Sequence, residues 1–200
     1  DLVNLYQANQ LNLEPGFQRK SVWSERDRAK LIESVLRNYP LPAIFLYKRP
    51  EKGTIVYDVI DGKQRLESIL MFMGAKKGGR FYARAPFGDG GEVIKVNWPL
   101  LQRKQKQHLI NGYELSVIEV DGGFDDIVEV FVLINSTGKA LTGQERRNAK
   151  YYTSDFLKTA AKLAKKLEPY FRRHEILSPA QISRMKHVEI VSELMLSLLQ

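Results

Sequence analysis

Two runs rich in β-branched and aromatic residues, Ala43 to Lys48 and Thr54 to Ile60, flank Pro50, Lys52 and Gly53, and directly after the second run the apolar spacing changes. Such runs fit strands, and the short interval containing a glycine fits a hairpin-like connection between them. Beyond Ile60, Leu66, Ile69, Leu70 and Met73 recur at the spacing of a helix. Two adjacent strands feeding directly into a helix commit this part of the chain to a mixed fold.

The corner between the second strand and the helix reads Asp61-Gly62-Lys63-Gln64-Arg65. Gly62 allows the backbone to turn sharply, so the helix opens near Lys63. The N–H groups and positive dipole end of a helix start form a generic anion site. Lys63 and Arg65 add positive charge in the first turn, where an isolated helix favours acids, and this points to an anionic partner. A purely structural reading stands beside it: Asp61 caps the helix and Arg65 pairs with a neighbouring acid.

Signals on either side extend the mixed pattern. Ser24 with Asp27 is a capping-box variant ahead of Leu31, Ile32, Val35 and Leu36, and Asn38 and Pro40 end that helix. Six glycines from Gly74 to Gly91 predict loops around a short strand near Arg80 to Ala85. Asn97 and Pro99 open a further helix, which Asn111-Gly112 closes before a strand over Glu114 to Val120. Ile127, Val128, Val130, Phe131 and Ile134 suit a helix entered after Gly123, better than a buried strand, because Asp125, Asp126 and Glu129 fall in its first turns. A loop holding Asn135, Ser136, Thr137 and Gly138 then leads to the Thr142–Glu145 capping box.

From about Ser154 onward strand signals vanish. Phe156, Leu157, Ala160, Leu163, Ala164 and Leu167 form one apolar face, Ser178-Pro179 starts another helix, and Val191 to Leu199 run on without a terminator. The expected organisation is an α+β domain over residues 1–150, with about four or five strands, and a helical segment over 151–200 that continues into a longer native chain.

The 200 residues, 44% hydrophobic, suffice for a substantial core. No apolar run approaches the roughly 20 residues that cross a bilayer, and the start lacks a leader pattern, so a cytoplasmic protein without membrane partners is expected. Zero cysteines exclude disulfides, thiolate catalysis and cysteine-bound zinc, and His108, His174 and His187 are too widely spaced for a compact metal motif. The net charge of +8 favours nucleic acid or nucleotide partners. It is dispersed in clusters: Lys76 to Arg84, Arg103 to Lys106, Arg146 to Lys150 and Lys158 to Arg173.

Further polar groups accompany the corner: Pro15-Gly16-Phe17-Gln18-Arg19 with Trp23 upstream, and Asn135 to Gly138 with Glu145 and Asn148 downstream. With Leu31 to Leu36, Tyr39-Pro40-Leu41-Pro42, Val59 to Leu66, Phe131 to Gly138 and Leu141 to Ala149, they form an ordered set over roughly residues 1–150. In this set the chain resembles the N-terminal domain family of GmrSD-type restriction endonucleases, a branch of the ParB/sulfiredoxin-like superfamily. The resemblance implies a ParB/sulfiredoxin-like sheet surrounded by helices, and nucleotide binding and hydrolysis in the service of DNA restriction and phage defence. The family signature is usually Asp-Gly-Gln-Gln-Arg, so Lys63 is a departure. A lysine can hold phosphate as a point charge, or it can replace an amide that orients water, keeping binding while weakening hydrolysis.

On this resemblance the expected catalytic residues are Asp61, Gln64 and Arg65, with Gln18, Arg19, Gly62, Lys63, Asn135, Ser136 and Thr137 binding nucleotide or phosphate. Arg19 and Arg65 would clamp phosphate oxygens, Asp61 would hold Mg²⁺ or act on water, and Gln64 would orient that water. A nucleoside triphosphate, DNA and a fused or associated C-terminal effector domain are the expected partners. Nuclease chemistry in full restriction enzymes resides in a C-terminal HNH-type effector domain, and the three histidines here lack the arrangement that site needs. A non-hydrolysing ParB-like module that binds DNA or nucleotide is the alternative.

Overall fold

In the computed structural model the described residues are 1–15, 23–51, 53–79, 81–136, 142–151 and 154–198. The elements in chain order are α1 (Leu2–Gln7), β1 (Leu11–Asn12), α2 (Glu25–Leu36), β2 (Ile44–Glu51), β3 (Thr54–Asp61), α3 (Lys63–Phe72), β4 (Ala83–Ala85), β5 (Ile94–Val96), α4 (Trp98–Arg103), α5 (His108–Asn111), β6 (Val117–Val120), α6 (Phe124–Ser136), α7 (Gly143–Lys150), α8 (Asp155–Arg173), α9 (Pro179–Ser183) and α10 (Lys186–Ser197). The fold is mixed α+β with a helical C-terminal part, as the sequence predicts.

Contacts divide the chain into two compact units: Asp1–Leu13 with Trp23–Asp121, and Glu14–Val22 with Gly122–Gln200. This division falls at 121/122, nearly thirty residues before the end of the sequence-defined domain. The expected 1–150 domain therefore contributes to both units.

In the first unit, among the described residues, a four-stranded mixed sheet has the order β1-β3-β2-β6, and β4 and β5 form a separate antiparallel pair. β2 and β3 are the hairpin expected from sequence, with Tyr47 opposite Asp58 and Glu51 opposite Thr54. β1 runs parallel to β3, and β6 runs parallel to β2. The parallel pairing of β2 with β6 requires the long crossover that α3, α4 and α5 supply. Asp58, buried on β3, accepts hydrogen bonds from Asn12 Nδ2 of β1 at 2.6 Å and from Arg49 Nε of β2 at 2.6 Å, so one carboxylate links three strands. The hydrogen bond to Asp58 raises the pKa of the Arg49 guanidinium above its ordinary value, against the opposing effect of burial.

Helix α2 packs Leu31, Ile32, Val35 and Leu36 into a core with Ile69 and Phe72 of α3, Ala83 and Ala85 of β4, and Val96 of β5. Burial of each large aliphatic side chain stabilises the fold by roughly 1.5–3 kcal/mol. The α2 start has the capping box read from Ser24 and Asp27, with both reciprocal hydrogen bonds present. Its end is a Schellman motif around Asn38, whose φ is 56°. Tyr39 N–H donates to Ser34 O at 2.9 Å and Asn38 N–H to Val35 O at 2.9 Å.

Two local expectations need correction. The helix expected from Asn97 to Asn111 is interrupted: Gln105 takes φ 54°, and Lys106 N–H closes back on Leu101 O at 2.8 Å, ending α4 without a glycine. α5 starts afresh at His108. Asn135 and Ser136, expected in a loop, belong to α6, whose helical hydrogen bonding runs on through Ser136.

The second unit contains α6 to α10. Leu157, Ala160, Ala164 and Phe171 of α8 pack with Leu177, with Ile182 of α9 and with Val188 and Val191 of α10. Thr142 and Glu145 form the predicted capping box at α7. Glu189 of α10 accepts from Arg147 at 2.7 Å and from Lys186 at 2.7 Å. The Lys186 hydrogen bond, and the charges of Lys186 and Arg147 after it, hold the Glu189 carboxyl below its usual range despite burial.

Candidate functional site

The corner at Asp61 to Arg65 is built by an obligatory glycine. Gly62 has φ 94° and ψ 5°, the left-handed conformation, and is the N-cap of α3. A Cβ there would stand 2.3 Å from Cδ1 of Ile44, a core residue of the adjacent strand β2. Glycine thus supplies both the backbone conformation and the close approach of strand and helix.

Gly62, the N-cap, has no side chain to cap α3, and the first turn contains no acid. Asp61 does not take the capping role that the structural reading assigned to it. Its Oδ2 instead accepts from Arg65 Nη2 at 2.5 Å. Arg65 also donates through Nη1 to Pro42 O and through Nη2 to Ala43 O at 3.4 Å. Its side chain is 11% exposed, and its guanidinium ties the first turn of α3 to the segment entering β2. The pairing half of the structural reading therefore holds, and Arg65 is a latch as well as a positive charge.

Gln64 is partly buried, and its Oε1 accepts from Trp23 N–H at 2.7 Å. Lys63 is buried at 8% exposure, at the first position of the helix. A cation in the first turn adds its field to the positive end of the helix dipole.

Behind the corner lies a polar layer that inspection of the motif alone does not reveal. Glu67, 3% exposed on α3, faces Arg28 of α2 at 3.8 Å and Lys76 at 4.0 Å. Arg28 Nη1 donates to Ser68 Oγ at 3.2 Å, and Ser68 Oγ donates to Gln64 O at 2.6 Å. A chain of contacts therefore runs from α2 to the backbone of the corner. The available signal was polar residues on apolar faces: Glu67 and Ser68 sit between Leu66 and Ile69, and Arg28 lies one turn before Leu31 and Ile32.

The structure brings Asp61, Gly62, Lys63, Gln64 and Arg65 together in the first unit. Gln18, Arg19 and Thr137 lie outside the described residues. Asn135 and Ser136 occupy the last turn of α6 in the second unit. Among the described residues no group of three acidic or histidine side chains is placed to hold a metal ion. Asp61 is engaged by Arg65, and a magnesium ion held through a single carboxylate completes its octahedral shell with water and phosphate oxygens. No helix among the described residues is long and apolar enough to cross a membrane.

No curated protein and no solved structure matches the chain. Residues 1–152 do match a family described as the GmrSD restriction endonuclease N-terminal domain, and that stretch contains the glycine corner, its arginine latch and the helices that buttress it. The chain therefore belongs to the GmrSD N-terminal domain family and carries a domain of a restriction and phage-defence protein.

Proposed function

We propose that the corner binds the phosphates of a nucleoside triphosphate, and that this binding serves DNA restriction or phage defence. The observation that carries the proposal is the α3 start: a left-handed glycine at the N-cap, no acid in the first turn, and Lys63 and Arg65 placed there against the usual charge preference. Backbone N–H groups around Gly62 and Lys63 would meet phosphate oxygens, with Lys63 as a point charge and Arg65 aligned by its carbonyl and carboxylate partners. Gln18, Arg19, Asn135, Ser136 and Thr137 are proposed as further phosphate or nucleotide contacts. Magnesium in this scheme arrives with the nucleotide, held by phosphate oxygens and Asp61.

Hydrolysis asks more of the same residues. Asp61 would act on the attacking water and Gln64 would orient it, with Arg65 facing the transferred phosphoryl group. Asp61 is bonded to Arg65 and Gln64 to the Trp23 backbone, so both water-handling groups have to exchange partners for turnover. That engagement favours a second reading, a ParB-like module that holds nucleotide or DNA without hydrolysing it.

Phosphate release from ATP, GTP and CTP, with and without DNA, is to be measured alongside nucleotide affinity. Release selects the hydrolase, and binding without release selects the module. Absence of nucleotide binding under all these conditions refutes the phosphate-site reading of the corner.

A further inference from the structure

Helix α8 carries six cations, Lys158, Lys162, Lys165, Lys166, Arg172 and Arg173, and all six are exposed. Leu157, Ala160, Ala164 and Phe171 of the same helix are buried in the core of the second unit. At 3.6 residues per turn the six cations fall within an arc of about 120°, directly opposite the buried side chains, and extend about 22 Å along the helix axis.

Only two acids accompany them on this helix: Asp155, 3.4 Å from Lys158, and Glu168, 2.9 Å from Arg172. Lys162, Lys165, Lys166 and Arg173 have no ion pair among the described residues. Ordinary solvated helix faces interleave signs, because like charges three or four residues apart oppose helix formation. Here Lys158 and Lys162, Lys162 and Lys165, and Lys162 and Lys166 are such neighbours, and of these four lysines only Lys158 has an acid paired with it among the described residues. A line of charge left largely unneutralised on a core-anchored helix complements a line of fixed negative charge.

We propose that the outer face of α8 is a docking surface for the phosphate backbone of double-stranded DNA. The restriction-family membership supplies the choice of DNA among polyanions; the charge geometry supplies the surface. A duplex carries one phosphate charge per about 1.7 Å of axis, so a face of this length meets several phosphates at once. An anionic membrane is the poorer complement. A membrane-bound amphipathic helix inserts its apolar face into lipid, whereas the apolar face of α8 is committed to its own core. The face lies beyond residue 152, where the family match ends, so it extends the function of this chain past the matched domain.

The test replaces Lys162, Lys165, Lys166 and Arg173 by glutamine together in the full 200-residue chain. Binding of a short DNA duplex is titrated between about 50 and 200 mM salt. The plot of log affinity against log salt is expected to become shallower by about 2–4, with at least a tenfold loss of affinity at the lowest salt. Circular dichroism and nucleotide binding are expected to stay as in the unsubstituted protein, since the four side chains are solvent-exposed. Unchanged slope and affinity, or an unsubstituted protein that does not bind duplex, overturns the proposal. Anionic vesicles titrated in parallel are expected to bind weakly, and equal, substitution-sensitive binding to them overturns the choice of DNA. A chain that binds DNA with the steep salt slope but binds no nucleotide refutes the corner reading and leaves this surface standing.

Discussion

Replacing Gly62 by alanine isolates what the corner demands of its sequence. The left-handed conformation costs a non-glycine residue about 1–2 kcal/mol. The new Cβ would lie 2.3 Å from Ile44 Cδ1 and 3.3 Å from Arg65 Nη2. Overpacking of that kind in a close-packed core costs about 1–3 kcal/mol, so the total is about 2–5 kcal/mol, a large share of the 5–15 kcal/mol that holds a domain folded. Both tryptophans, Trp23 and Trp98, belong to the unit that contains the corner, so urea unfolding followed by tryptophan fluorescence reads that unit directly. Ile44→Val removes the clashing methyl and costs about 0.5–1.5 kcal/mol alone. In that background Gly62→Ala is expected to cost only the backbone part, about 1–2 kcal/mol, a coupling of about 1–3 kcal/mol between the two sites. Additivity within about 0.5 kcal/mol would show that Ile44 and Gly62 do not compete for space and would refute the close-approach argument.

Arg65→Ala is expected to destabilise the same unit by about 2–4 kcal/mol in urea titration, because three part-buried, charge-assisted hydrogen bonds to Asp61, Pro42 and Ala43 are lost together. Arg65→Lys should recover less than half of this, since a point charge does not span Pro42, Ala43 and Asp61 together. Arg28→Ala leaves the Glu67 carboxylate with Lys76 as its remaining cation, and a loss of about 3 kcal/mol is expected by thermal or urea unfolding. Glu189, with its carboxyl held below the usual range, stabilises the second unit above the unfolded-state pKa of about 4.3. That contribution fades as pH falls through the lower folded-state value, so Glu189→Gln should flatten the acid limb of the stability curve recorded by far-ultraviolet circular dichroism.

Helix starts were legible where the capping partner lies three residues away. Ser24 with Asp27 and Thr142 with Glu145 form the expected reciprocal bonds because both halves are local. The hairpin of β2 and β3 was equally legible, since alternation and a short glycine-containing interval fix it. Gln105 was not: its left-handed turn satisfies carbonyls of α4, yet glutamine carries no propensity signal for that conformation. Asn135 and Ser136 resembled a polar loop, whereas helical hydrogen bonding, indifferent to such side chains over one turn, continues through them. Within the candidate site, Gly62 and the charge of the first turn were visible. The acceptors of Arg65 at Pro42 and Ala43 lie more than twenty residues upstream, and Glu67 and Arg28 meet only when two helices pack.

By itself, the sequence determined the α+β class, the position of the strand-to-helix corner, the excess of positive charge and the family, because each rests on local spacing or on an ordered set of motifs. Tertiary structure decided what the corner residues touch: Asp61 turned from capping to Arg65, Gln64 bonded to the Trp23 backbone, and a polar layer behind α3. It also decided that the apolar face of α8 packs on α9 and α10, with Leu163 of the expected face left exposed. The physical reason is the same in each case. Local hydrogen bonding and hydrophobic period are properties of neighbouring residues, whereas the partner of a charge and the exposure of a face depend on which distant segments pack against it.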